Sequence, residues 1–241
     1  MNYTFLDNLV ENSLLERESF VVERIIDGDT IMANGEYIRL LGINSPEKGE
    51  KYYDEAKQYL ENLIFNKTVQ LEFGTEQRDK YGRILAYIYD GETLVNQKLI
   101  LNGYANIYFP SGKDNYYGLF LNSWRECIKN NQNLCEKSTS VEAHCIEIFE
   151  FDTENQEVIF RNKCERDLNL DYWKIKDEGR KRYFFPIFTA KKYDYFTVKV
   201  GEEDSSENVL YWRGEDYVWT ETGDSLFLRD DQDKLILWYS Y

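Results

Sequence analysis

IIDGDTIMANGEYIRLLGINSPE, residues 25–47, decides how the first half of the chain folds. Asn34-Gly35 sits between two alternating apolar runs, which is the strongest short-range signal for a two-residue β-hairpin turn. Both strands of that hairpin end in polar oxygen donors: Asp27 and Asp29 before the first, Asn44, Ser45 and Glu47 after the second. Arg39 lies inside the second strand, between Ile38 and Leu40. A hairpin that only builds a core has no use for this set.

Working outward, FVVERII enters the hairpin as a strand, and YYDEAKQYLENLIFN follows it as a helix. Ala56, Tyr59, Leu60, Leu63 and Ile64 there recur at three and four residues. TVQLEF is a strand, QRDKYGRILAYIYDG a basic loop running into another, with a turn at Asp90-Gly91. TLVNQKLILNG is a helix stopped by Gly103, and YGLFLNSWRECIKNN is a further helix. Short strands with few helices predict a small barrel flanked by helices. Residues 1–18 read as a tail or short helix, 19–137 as the barrel domain, and the polar 138–144 as a linker.

The totals set bounds. The chain has 241 residues, 42% apolar and 16% aromatic with 20 tyrosines, enough for two cores and suited to strands. No run of 18 apolar residues exists, so no membrane span is expected. Residues 1–18 carry four acids and one arginine, the wrong charge for the start of a signal peptide. Net charge is −15, but residues 19–140 hold only −3 of it and residues 141–241 hold −9. Phosphate binding therefore needs a local basic cluster. Four cysteines without a CxxC pair and a single histidine, His144, argue against a zinc site. The cysteines read as local disulfides, Cys127–Cys135 and Cys145–Cys164, or as four thiols in a reducing cell.

Phosphodiester hydrolysis needs neutralised phosphoryl oxygens, an activated water and a base for its proton. Carboxylates hold hard cations, and arginines fork onto phosphate oxygens. Each piece here also has a plain reading. Asp27-Gly28-Asp29 is a tight turn, Arg39 shares an outward face with Tyr37 and Leu41, Glu47 follows Pro46 as a helix-start acid, and Asp79, Lys80 and Arg83 are loop charges. The combination is specific. DGDT, IRLLGINSPE, the EA of the following helix, DKYGRILAYIY and LVNQKLILNGYA, in this order, resemble the staphylococcal nuclease-like (thermonuclease) family over about residues 20–137.

The resemblance implies a five-stranded OB-type barrel with helices and a Ca²⁺-dependent nuclease cutting DNA and RNA to leave 3′-phosphates. It implies Asp29, Asn44 and Ser45 as calcium ligands and Arg39, Glu47 and Arg83 as catalytic residues, with Glu47 the candidate base. It puts Lys80 and Tyr81 against a terminal phosphate of the substrate while Asp27 shapes the turn, and Tyr108 is added as a substrate-binding residue from its place on the groove of such a barrel. Where the family often has DTPE this chain has NSPE, so Asn44 stands in place of a second aspartate and weaker calcium binding is expected. The alternative is a non-catalytic nucleic-acid- or protein-binding protein on a degenerate barrel. Tyr104, Tyr108 and Phe109 read either as base-stacking or as packing residues.

Beyond Leu134 helical periodicity stops. CIEIFEF, QEVIFRN, YWKIK, RYFFPIF, DYFTVKV, NVLYWR, SLFLRD and KLILWYSY are eight strand candidates at sandwich spacing, so 145–241 reads as all-β. VIFRN with Cys164, LDYWKIKDEG, DYFTVKVG and VWTETGDSLFLRD resemble a lamin-tail domain, an immunoglobulin-like β-sandwich, with Trp173 and Trp219 in its core and Asp224 capping a turn. That implies a docking or targeting module with a protein or surface partner. Lys174, Lys176, Arg180, Lys181 and Arg182 read either as a basic strip or as a solvated hairpin. Expectations for the whole are a monomer, extracellular or on the cell surface, with a cytoplasmic protein as the alternative.

Overall fold

The computed structural model describes residues 17–241, so the tail or short helix read over residues 1–18 lies almost wholly outside the described residues. The fold divides into two compact units.

In the first unit, β1 (Glu18–Ile25), β2 (Thr30–Ala33) and β3 (Glu36–Leu40) form an antiparallel meander. Ala33 pairs with Glu36, leaving Asn34 (φ 48°) and Gly35 (φ 77°) as a two-residue turn of positive φ, the geometry Asn-Gly favours. β4 (Ile43–Asn44), α1 (Tyr53–Ile64), β5 (Thr68–Arg78), β6 (Ile84–Asp90), β7 (Thr93–Leu94), α2 (Val95–Leu101), β8 (Asn106–Ile107) and α3 (Tyr117–Asn130) follow. The main sheet runs β3-β2-β1-β5-β6-β7, and a parallel pairing of β3 with β6 closes five of its strands into a barrel. A closed barrel leaves few free edges. Val22, Ile31, Ile38, Leu71 and Ile88 fill it, and α1 lays Ala56, Leu60 and Ile64 on the core while Tyr59 and Leu63 stay half-buried.

In the second unit, β9 (Ile146–Asp152), β10 (Glu157–Asn162), β11 (Leu168–Asn169), β12 (Lys174–Lys176), β13 (Arg182–Phe184), β14 (Thr189–Ala190), β15 (Tyr195–Val200), β16 (Val209–Trp212), β17 (Ser225–Arg229) and β18 (Leu235–Ser240) are all strands. Eight of these coincide with the eight strand candidates. β11 and β14, two residues each, are too short to carry a period. Two four-stranded sheets, β16-β15-β10-β9 and β13-β12-β17-β18, feed one core. Phe160, Phe196 and Val198 come from the first, Ile175 and Leu228 from the second, with Trp173 and Trp219 buried among them. Cys145 and Cys164 form a disulfide with Cα atoms 5.3 Å apart, and Cys127 and Cys135 are disulfide-bonded too.

The units do not part at the polar stretch 138–144. The second also takes in Ile128 onward and the segment Phe109–Asn115. Within it the Phe109 N–H donates to Glu178 Oε1 (3.0 Å) and Lys113 Nζ donates to the Tyr241 carbonyl (3.0 Å). Residues 138–144 are themselves turned back by Ala143 N–H to the Ser140 carbonyl and Cys145 N–H to the Glu142 carbonyl. Polarity marks solvent exposure there, not a free tether.

Candidate active site

Asp29 is the hub. Asp27 Oδ1 accepts the Asp29 N–H (3.1 Å), an Asx turn that bends the chain into β2. Gly28 lets this turn press against two neighbours: a Cβ there would lie 2.7 Å from Ser45 Cβ and 2.8 Å from Ala56 Cβ. The small residues of DGDT, NSPE and the EA of α1 are therefore one packing requirement. Asp29 is 4% exposed. Its Oδ2 accepts the Ser45 N–H (2.7 Å), and its Oδ1 accepts from Thr30 Oγ1 (3.2 Å) and lies 3.2 Å from Arg39 Nε.

Arg39 is only 7% exposed. The outward-face reading fails because the β2–β3 pairing sets it beside Thr30 and over Asp29, while Tyr37 on the same strand stays exposed. Nη1 donates to the Leu40 carbonyl (2.6 Å) and Nη2 to Asn44 Oδ1 (3.4 Å). A guanidinium has five N–H groups, so this arrangement fixes the fork with donors to spare.

Burial, then the charge of Asp29, pushes the Asp27 carboxyl up to about 6, against the pull of the Asp29 N–H, Arg39 and Thr30. Tyr53, at the start of α1, has its phenol raised by loss of solvent and then by Asp27, Asp54 and Glu47. Glu47 is half-buried, in a turn where its N–H donates to Glu50 Oε2 (2.6 Å) and its carbonyl accepts the Glu50 N–H (2.8 Å).

Arg83 arrives from the other side of the barrel closure. Arg39 pairs with Leu85 in the parallel ladder, and Arg83 stands two residues before Leu85. Asp79 is more than a loop charge. Its Oδ2 accepts from Arg83 Nε (2.7 Å) and its Oδ1 accepts the Tyr81 and Arg83 N–H groups (2.9 and 3.0 Å). Partial burial works against ionisation, yet the Arg83 side chain and these amides outweigh it and hold the carboxyl below its usual range. Tyr81 is 73% exposed, with Lys80 Nζ and Arg83 Cζ 5.2 and 5.6 Å from its ring centre. Tyr108 is half-buried, and its N–H donates to the Gly42 carbonyl (2.9 Å) just ahead of β4. Tyr104 stacks on Tyr59 at 4.6 Å and Phe109 is buried, so both pack.

Asp29, Arg39, Asn44 and Ser45 are therefore joined by direct contacts. Glu47 stands two residues after Ser45 in the NSPE turn, and Arg83 two residues ahead of Leu85, the ladder partner of Arg39. The donors gathered here are all oxygen, the Asp27 and Asp29 carboxylates and the Asn44 amide, which fits a hard divalent cation. Among the described residues no three carboxylates close to ligand distance there. The one such grouping of metal-binding side chains is His144, Cys145 and Cys164.

Comparison with known proteins bears on this geometry. Residues 37–136 match the family model described as staphylococcal nuclease homologue. A thermonuclease of Staphylococcus intermedius is 35% identical over 130 residues, half of this chain and 77% of that protein. The chain belongs to the staphylococcal nuclease family. A Staphylococcus hyicus thermonuclease is 28% identical over 48% of this chain and 75% of its own length. An uncharacterized endonuclease of Escherichia coli is 34% identical over 44% and 71%. The family model ends at residue 136, ahead of the ten strands of the second unit.

One supporting residue of this nuclease-family site escapes a motif reading. Asn96, fully buried on α2, accepts the Ile88 N–H (2.9 Å) and donates to the Leu41 carbonyl (2.8 Å), tying the helix to β6 and to the loop before Asn44. Its signal is an amide inside the apolar stripe of VNQKLIL.

Proposed function

We propose that this protein is a calcium-dependent phosphodiesterase that hydrolyses DNA and RNA to products with 3′-phosphates. The observation that carries the reading is the buried Arg39, fixed by Asp29, Leu40 and Asn44 in a chain of nuclease kinship. Asp29, Asn44 and the Ser45 carbonyl would hold Ca²⁺, which supplies positive charge against the phosphoryl oxygens when bound. The spare N–H groups of Arg39 and those of Arg83 fork onto the same phosphate and neutralise the charge that grows as the P–O5′ bond breaks. Glu47 takes the proton of the attacking water. Lys80, Tyr81 and Tyr108 hold the nucleotide on either side of the cut. Asn44 carries no charge, so the calcium requirement is high.

The second unit, with two four-stranded sheets about a shared core, is an immunoglobulin-like, lamin-tail-like domain that docks the nuclease to a protein or surface. The charge of −9 over residues 141–241 supports a protein or surface partner over nucleic acid. The basic strip is partly spent: Lys174 pairs with Asp233 and Lys181 with Glu215. Paired cysteines support an extracellular or cell-surface location. We further propose a monomer, for which a single chain supplies every site residue.

The test is nicking of supercoiled plasmid with Ca²⁺ and with chelator, followed by analysis of the ends. The expected products are calcium-dependent and resist polymerase extension until a phosphatase removes the 3′-phosphate. DNA binding without cutting at any calcium concentration would overturn the proposal in favour of a non-catalytic binding protein.

A further inference from the structure

In the second unit the chain's single histidine lies against a disulfide. His144 Nε2 is 3.8 Å from Cys145 Sγ, and one ligand atom from each of His144, Cys145 and Cys164 falls within 4.8 Å of the others. Cys145 is fully buried, but Cys164 is half-exposed and lines an open cleft with Val141, His144, Glu165 and Arg166. One imidazole and two sulfurs are a borderline-soft donor set, suited to Zn²⁺ once the sulfurs are thiolates. While the sulfurs are bonded to each other the set is closed to a metal.

The scaffold keeps the two sulfurs together without their bond. The Lys163 N–H donates to the Cys145 carbonyl (2.9 Å), and the Cys145 N–H to the Glu142 carbonyl (2.8 Å). Asn162, fully buried, accepts the Cys164 N–H (2.9 Å) and donates to the Arg166, Ala190 and Lys191 carbonyls (2.8, 3.1 and 3.0 Å). None of these hydrogen bonds involves a sulfur atom. Zinc–sulfur bonds of about 2.3 Å in a tetrahedral site set the two sulfurs about 3.8 Å apart, so they separate from the 2.07 Å of the disulfide by side-chain rotation.

We propose that His144, Cys145 and Cys164 form a redox-gated zinc site. A dithiol reductant gives up two electrons and two protons, becoming a disulfide, and the Cys145–Cys164 bond becomes two thiols. Zn²⁺ binds the two thiolates and the neutral imidazole, releasing the two thiol protons to solvent. The fourth position faces the cleft and takes water or the Glu165 carboxylate.

The experiment uses the full chain, reduced with a dithiol, freed of it without air, and treated with a thiol alkylator with and without one equivalent of Zn²⁺. Peptide mass spectrometry reads each cysteine. Zn²⁺ should slow alkylation of Cys145 and Cys164 about tenfold or more, with Cys127 and Cys135 unchanged, and His144→Ala should lose most of that protection. Cobalt(II) should give a thiolate charge-transfer band in the reduced protein, displaced by Zn²⁺ and absent from the oxidised protein. Equal alkylation of Cys145 and Cys164 with and without Zn²⁺, undiminished protection in His144→Ala, or the same cobalt band in the oxidised protein would each overturn the proposal.

Discussion

Replacing Arg39 with methionine separates two roles that the structure assigns to one side chain. The Arg39 and Asp29 side chains are 9% and 5% exposed, so the change leaves a buried carboxylate without its counter-charge. Breaking a buried pair from one side costs about 3–5 kcal/mol. Asp29 keeps the Ser45 N–H and the Thr30 hydroxyl, which offset part of that, so about 2–3 kcal/mol is expected. Activity should fall further, by about 10²–10³, as for loss of one preorganised donor to a developing oxyanion. The companion change Asp29→Asn in the same chain removes the stranded charge. It should recover about half of the lost stability and none of the rate. Urea unfolding followed at 222 nm isolates the barrel, because α1, α2 and α3 are the α-helices of the described residues. Plasmid cleavage gives the rate. The reasoning is refuted if Arg39→Met unfolds at the wild-type urea concentration, or if Asp29→Asn deepens the loss of stability.

Asn44→Asp should lower the calcium concentration at half-maximal rate, measured by titrating Ca²⁺ in the plasmid assay; an unmoved midpoint removes Asn44 from the calcium site. Gly28→Ala should cost about 1–3 kcal/mol by forcing a methyl onto Ser45 and Ala56, and should depress cleavage because Ser45 must move. Asn96→Leu strands the Ile88 N–H and the Leu41 carbonyl and should cost about 2–5 kcal/mol in the same urea assay. In the second unit, burial and then the Asp224 charge push Asp177 up to about 7 and Glu178 up to about 8. Acids with raised folded values are protonated in the native state and ionised in the unfolded one between about pH 4 and 8, so stability is fullest at the acid end and is lost as pH rises through that window. Glu178→Gln should flatten this trend and raise the melting temperature most near pH 8.

Much of the fold was legible because its signals are local. Asn34-Gly35 fixes a turn by backbone conformation alone, and the eight strand candidates of the second half carry their own alternation. Ala56, Leu60 and Ile64 repeat at helical spacing. What was not legible depends on partners far apart in sequence. The closure of β3 on β6 is a parallel pairing across more than forty residues, and no local pattern encodes it. Arg39 looked outward by alternation because its burial comes from Asp29 and Asn44, reached through the hairpin and the loop after it. Asp79 read as a loop charge because its role is to accept from a chain that turns back on it two and four residues later. The candidate site residues were named through their order in a known motif, while the contacts among Asp29, Arg39 and Asn44 required the fold.

The polypeptide passes from one compact unit to the other three times, at Tyr108, Asn115 and Cys127. A single cut anywhere in the chain therefore cannot release either half whole. Shuffling at the level of genes, which moves a module by its ends, would leave Phe109–Asn115 behind on the wrong parent. A hybrid that exchanges residues 128–241 must carry that short insert along with it.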